Sequence, residues 1–125
     1  GWVTGDAAQF YQDGIAASWD QWGVTGDLAG YIASHPFTLA NTQLQEYITW
    51  YPDGIQAWSN WRRTGIPALT PTANATNSTC GYTIPRRYIY GSNEDRTNFA
   101  HEQEAVNGSY GGANTECQRV WWDRP

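Results

Sequence analysis

The sequence predicts a mainly α-helical chain that closes in long irregular loops, and three observations predict it. Apolar side chains recur at intervals of three and four through the first 65 residues, the spacing of one helical face. Cap-forming residues stand in front of these runs, and Gly or Pro stands behind them. From Ile66 the period is lost, because Pro67, Pro71 and Pro85 fall among many Thr, Asn, Ser and Gly. Residues 1–65 are therefore expected to be helices, and residues 66–125 irregular loops with short elements.

The first helix is read from Ala8, Tyr11, Ile15, Trp19 and Trp22, which share one face. Asp6 followed three positions later by Gln9 has the pattern of a capping box, and Gly23 is the expected stop. Gly14 inside the run costs about 1 kcal/mol relative to Ala, so a close approach by a neighbouring helix is expected there. A short second helix is predicted from Asp27 to about Ser34, ended by His35 and Pro36, with the first helix as its packing partner. A third run, near Asn41 to Trp50, carries Leu44, Tyr47, Ile48 and Tyr51 and is cut by Pro52. A fourth starts at Asp53, with Ile55, Trp58 and the stem of Arg62 on one stripe, and stops at Gly65 and Pro67. Beyond it, residues 70–80 read as an exposed insertion tied down at Cys80, residues 82–90 as a short extended segment, and residues 98–106 as a short helix.

Composition narrows the partners. The 125 residues include 8 Trp and 8 Tyr but no Met, which suits either a packed interior or a surface that stacks on sugars. Every basic residue is Arg, and the net charge is −5. An acidic chain with only two Arg pairs lacks the clustered positive surface that tracks phosphates, so nucleic-acid binding is disfavoured. Arg without Lys favours fixed, planar, bidentate contacts. No stretch approaches the roughly 20 apolar residues needed to span a bilayer. The start of the chain, without Met or signal pattern, reads as that of a fragment or of a processed precursor.

Cys80 and Cys117 have no His or third Cys at metal-ligand spacing, so a disulfide and an oxidising compartment are expected, with two buried thiols as the other reading. Enzyme signatures are missing. The sequence holds no nucleophile elbow and no metal-ligand set, and Glu102 and Glu104 lie two apart, facing different directions on a helix. No catalytic residue, metal or cofactor is assigned. Asn74, Asn77 and Asn107 match the glycosylation acceptor pattern, which matters only in a eukaryotic secretory route.

Three segments carry a family resemblance: Gly54 to Pro67, containing Trp58, Trp61, Arg62 and Arg63 and ending Thr-Gly-Ile-Pro; Ile84-Pro85-Arg86-Arg87-Tyr88-Ile89-Tyr90; and Val120-Trp121-Trp122-Asp123. Their order and spacing resemble the carboxy-terminal end of SusD/RagB-family proteins. Glu94 with Asn98, and Gly5 to Val24, resemble the same branch. The resemblance implies a tetratricopeptide-like helical scaffold, an α/α superhelix with long irregular carboxy-terminal loops, of which residues 1–125 form the last part of a single domain. It implies cell-surface binding of a nutrient glycan, or less often a peptide, for uptake through a SusC-type TonB-dependent transporter. It also implies a bacterial outer-membrane location, with a lipid anchor in an amino-terminal part that packs with this one. A fragment of a secreted carbohydrate-active enzyme and a purely structural envelope protein are the rival classes.

The same residues also admit a structural reading. Arg62 and Arg63 at a helix end can bond its unpaired carbonyls. Arg86 and Arg87 can pair with Glu94 and Asp95 or stack on Tyr rings, and Trp121 and Trp122 are expected to anchor the chain end to the body, with one ring facing a sugar as the other reading. Arg87, Tyr88 and Tyr90 are the candidate ligand contacts, since aromatic rings suit sugar faces and Arg suits hydroxyls.

Overall fold

Asp, Thr and Gly residues set the ends of the amino-terminal helices. The computed structural model describes residues 4–73, 80–109 and 111–123. Helix α1 spans Ala7–Trp22 and starts where the Asp6 carboxylate accepts the Ala8 amide at 2.9 Å. It stops at Gly23, whose φ of 61° lets its N–H and that of Val24 turn back onto the Asp20 and Trp19 carbonyls. The capping box is not completed: Gln9 donates forward to Asp13 at 2.8 Å, because a helical neighbour four residues on lies within easier reach. Helix α2, Leu28–Ser34, is capped by Asp27, which accepts the Gly30 amide at 2.8 Å. Helix α3, Leu39–Thr49, begins two residues before the predicted start, because Thr38 supplies the cap by accepting the Asn41 amide at 3.0 Å. Thr38→Ala is expected to cost about 1 kcal/mol, measured as a lower midpoint in thermal unfolding of the complete protein. Helix α4, Gly54–Thr64, opens with Asp53 accepting the Gln56 amide and closes at Gly65, φ 72°.

The described residues contain helices and no strand, and no helix is long and apolar enough to cross a membrane. The chain divides into two compact units, Gly1–Trp61 and Arg62–Pro125, so the last turn of α4 belongs to the second. In the first unit α2 and α3 both pack on α1. The Trp19 and Tyr31 rings lie 5.5 Å apart, Tyr11 donates to the His35 carbonyl at 2.8 Å, and the Gln45 amide donates to the Tyr31 hydroxyl at 2.9 Å. Burial pushes the Tyr11 hydroxyl above its ordinary pKa, with Tyr31 adding to the shift, so it stays a donor.

Two expectations fail in this unit. Among the described residues nothing stands within 4 Å of the position a Cβ would take at Gly14, so none of their helices approaches there; the residue lies along an open groove instead. On α4 the buried residues are Ala57, Asn60, Trp61 and Arg62, while Ile55 is exposed and Trp58 half-buried. Of the predicted stripe Arg62 is buried and Trp58 half-buried, but Ile55 stands outside it, because burial at the start of α4 follows the small Ala57 and, four residues later, the wide Trp61.

The second unit is less irregular than predicted. Helices α5, Ser92–Thr97, and α6, Phe99–Ser109, follow one another around Asn98 and pack together. The six residues of α5, Ser-Asn-Glu-Asp-Arg-Thr, hold no apolar side chain, so no periodic signal marks it. Gly91 precedes it, and Asn98 ends it by donating its amide to the Glu94 carbonyl at 2.8 Å. Residues 82–90 form no strand; they run without helix or ladder partner, and Tyr82 takes a positive φ of 61°. The exposed insertion and the acceptor sites at Asn74 and Asn77 lie mostly outside the described residues.

Candidate functional site

A disulfide and one carbonyl hold the Ile84–Tyr90 segment. Cys80 and Cys117 are bonded, closing a separation of 37 residues. Just before Cys117, the Glu116 carbonyl accepts the amides of Arg86 and Arg87 at 2.7 and 3.3 Å, so this stretch lies along residues 114–117.

Arg86 then turns inward. Its guanidinium grips both carboxylate oxygens of Asp123, with 2.8 Å between Nε and Oδ2, and Nη2 also reaches the Arg62 carbonyl at 3.2 Å. Asp123 is 0% exposed and accepts a further bond from Arg119 Nη1 at 3.0 Å. Arg62 returns the contact: Nη1 donates to the Arg86 carbonyl at 2.5 Å, and the guanidinium lies 4.5 Å from the centre of the Trp122 ring. Burial draws the Arg62 pKa down; Asp123 opposes this, Arg86 adds to it, and the nearby Tyr88 phenol opposes it again. Arginine's margin is wide enough that the group remains a cation at neutral pH.

Two predicted roles are corrected by this arrangement. Arg86 bonds the Arg62 carbonyl in the last turn of α4, and the Arg62 side chain reaches the facing segment in return. Arg86 and Arg87 do not take Glu94 or Asp95 as their acids: Arg86 takes Asp123, where a bidentate grip out of water is available, whereas Asp95 is exposed and Glu94 bonds Asn98. Of the closing tryptophans, Trp122 is half-buried under Arg62 but Trp121 is 82% exposed, so the buried residue that fixes this end is Asp123.

Among the candidate ligand contacts, Arg87 is 5% exposed. Its Nη1 donates to Asn114 Oδ1 at 3.2 Å and to the Thr115 carbonyl at 3.0 Å, and its guanidinium lies 5.0 Å from the Tyr90 ring centre. Tyr90 is half-buried, and its amide donates to the same Asn114 oxygen at 3.0 Å. Tyr88 between them is 73% exposed. The structure thus brings the three residues onto one braced segment, with Arg87 turned inward and the Tyr88 ring outward. Sequence reading missed Asn114 entirely; its only local signal is the Gly111-Gly112 turn before it. Glu102 and Glu104 do face different ways, the first buried and the second exposed.

The first unit offers a second feature, an open groove of about 770 Å³ along α1 and α3. Trp19, Trp22, Tyr31 and Tyr51 line it, together with Gln45 and Glu46.

A family described as starch-binding and associating with the outer membrane, the SusD-like group, matches residues 1–91. The chain belongs to the SusD-like family. Solved structures extend the likeness beyond that match. A chitin-binding protein aligns over 99% of this SusD-like chain at 34% identity and a TM-score of 0.78. A SusD homologue from Bacteroides uniformis aligns over 97% at 29% identity and 0.77, and a chitin-binding SusD homologue from Flavobacterium johnsoniae over 96% at 29% identity and 0.73. The alignments take in 29%, 32% and 32% of those proteins, so the SusD-like chain spans about a third of their length. No curated protein matches it.

Proposed function

We propose that this chain is the carboxy-terminal part of a single SusD-like domain that captures a glycan at the bacterial outer membrane and does not cleave it. The observation that carries the reading is the outward Tyr88 ring on a backbone held rigid by Glu116 and Asn114. A flat ring that loses little freedom on contact suits the apolar face of a pyranose, and a fixed platform lowers the ordering cost of binding. Two of the similar solved structures are of chitin-binding proteins, which favours an N-acetylglucosamine oligomer as the ligand.

Isothermal titration of the complete protein with a soluble N-acetylglucosamine oligomer should detect binding without release of shorter sugars. Tyr88→Ala should weaken that binding roughly tenfold, the loss of one stacked ring. Equal affinity in the variant would remove Tyr88 from the site; hydrolysis of the oligomer would remove the binding-protein reading itself.

The remaining parts of the proposal follow from family membership. The glycan is passed to a SusC-type TonB-dependent transporter, a lipid anchor elsewhere in the polypeptide holds the receptor at the cell surface, and the helices belong to a tetratricopeptide-like array. The groove along α1 and α3 supports the single-domain reading. Neither α2 nor α3 buries a residue fully, and several large apolar side chains, Phe10, Trp22, Ile48 and Tyr51 among them, border the groove exposed. The other two-thirds of a polypeptide as long as these relatives would cover it.

A further inference from the structure

We infer that Asn114 is a positioning residue for the Tyr88 platform and that buried Glu102 holds it in its working orientation; the inference rests on the proposed glycan-binding role of that segment. The side-chain amide of Asn114 uses both ends. Its Oδ1 accepts from the Tyr90 amide at 3.0 Å and from Arg87 Nη1 at 3.2 Å, so one oxygen fixes the residues on either side of Tyr88. Its Nδ2 donates to Glu102 Oε1 at 3.0 Å and reaches toward the Tyr90 carbonyl at 3.4 Å.

Orientation of an amide is set by its neighbours. If the group turned over, the NH₂ would face the Tyr90 N–H and the Arg87 guanidinium, donor against donor, and the oxygen would face the Glu102 carboxylate. Glu102 makes that flip costly. It is 4% exposed, and among the described residues Asn114 Nδ2 is the one donor to its carboxylate, with Oε2 buried and unpartnered. A buried carboxylate with so little solvation favours keeping its single donor.

The fold brings the two residues together by reversing the chain after α6. Gly111 and Gly112 take φ of 66° and 88°, and the Gly112 amide bonds the Val106 carbonyl at 3.0 Å. The chain thereby returns beside the helix that carries Glu102, and Asn114 stands between α6 and the Arg87–Tyr90 stretch.

The test exchanges the polarity of the pair in the complete protein. Asn114→Ala should speed hydrogen exchange at the Tyr90 amide about tenfold and weaken binding of the N-acetylglucosamine oligomer about fivefold or more, the effect of one lost hydrogen bond. Asn114→Asp should do at least as much harm, since it sets a second carboxylate against Glu102. Adding Glu102→Gln to Asn114→Asp restores a donor facing an acceptor, and both readouts should return to within about threefold of wild type. A residue that merely filled space would not be rescued by that exchange. Unchanged Tyr90 exchange in Asn114→Ala, or a double variant no better than Asn114→Asp, would overturn the inference. If the exchange pattern follows expectation while the wild type binds no oligomer, the positioning role stands and the glycan reading falls.

Discussion

Replacing Asp123 with Ala is expected to destabilise the complete protein by about 3–5 kcal/mol, because a fully buried carboxylate is removed from two arginines that remain. Arg86 loses its bidentate partner, Arg119 its only carboxylate contact among the described residues, and Arg62 the charge that offsets its burial. The loss is larger than an exposed ion pair would give, for which the usual value is about 1 kcal/mol or less. Asp123→Asn keeps the shape but turns a donor toward the guanidinium, so it should recover only part of the stability. Equilibrium urea unfolding measures both. A shift for Asp123→Ala no greater than that of a surface substitution would mean the lock carries little of the fold.

The second large effect is expected at the disulfide. Closing a separation of 37 residues restricts the unfolded chain by about 4 kcal/mol on the loop-entropy account. The Cys80→Ser plus Cys117→Ser variant should lose stability on that scale, and its unfolding curve should match that of reduced wild type. Because the bond sits beside the Glu116 carbonyl that carries the Arg86 and Arg87 amides, the loss should also appear as faster hydrogen exchange at those two amides. Coincident curves for oxidised and reduced protein would refute this.

How far these features could be read in advance depends on how local their cause is. Helices α1 to α4 were legible because period and caps act within a few residues: Asp6 and Asp53 cap where expected, the second helix starts beside Asp27, and Gly23 and Gly65 stop their helices. The failures have distant causes or no periodic trace. Arg86 has Glu94 and Asp95 close by in sequence, yet it binds Asp123, 37 positions away, because only there does the chain exclude water around a bidentate partner. Trp121 and Trp122 are the same residue type side by side, and no spacing rule tells which one lies under Arg62. Helix α5 lacks an apolar face, and what accompanies it in the fold is α6 packed beside it. Arg87, Tyr88 and Tyr90 could be nominated from the sequence, whereas their support by Asn114 arises from a chain reversal that no local motif announces.

The crossed contact between Arg62 and Arg86 constrains how the two positions can drift. Each guanidinium bonds the other residue's main-chain oxygen, an atom that every amino acid carries, so either side chain has a target whatever stands opposite. A change at one site therefore leaves half of the clasp in place, although losing Arg86 also takes the bidentate partner from Asp123. Asp123 has no such latitude, since its oxygens are needed by more than one guanidinium at once.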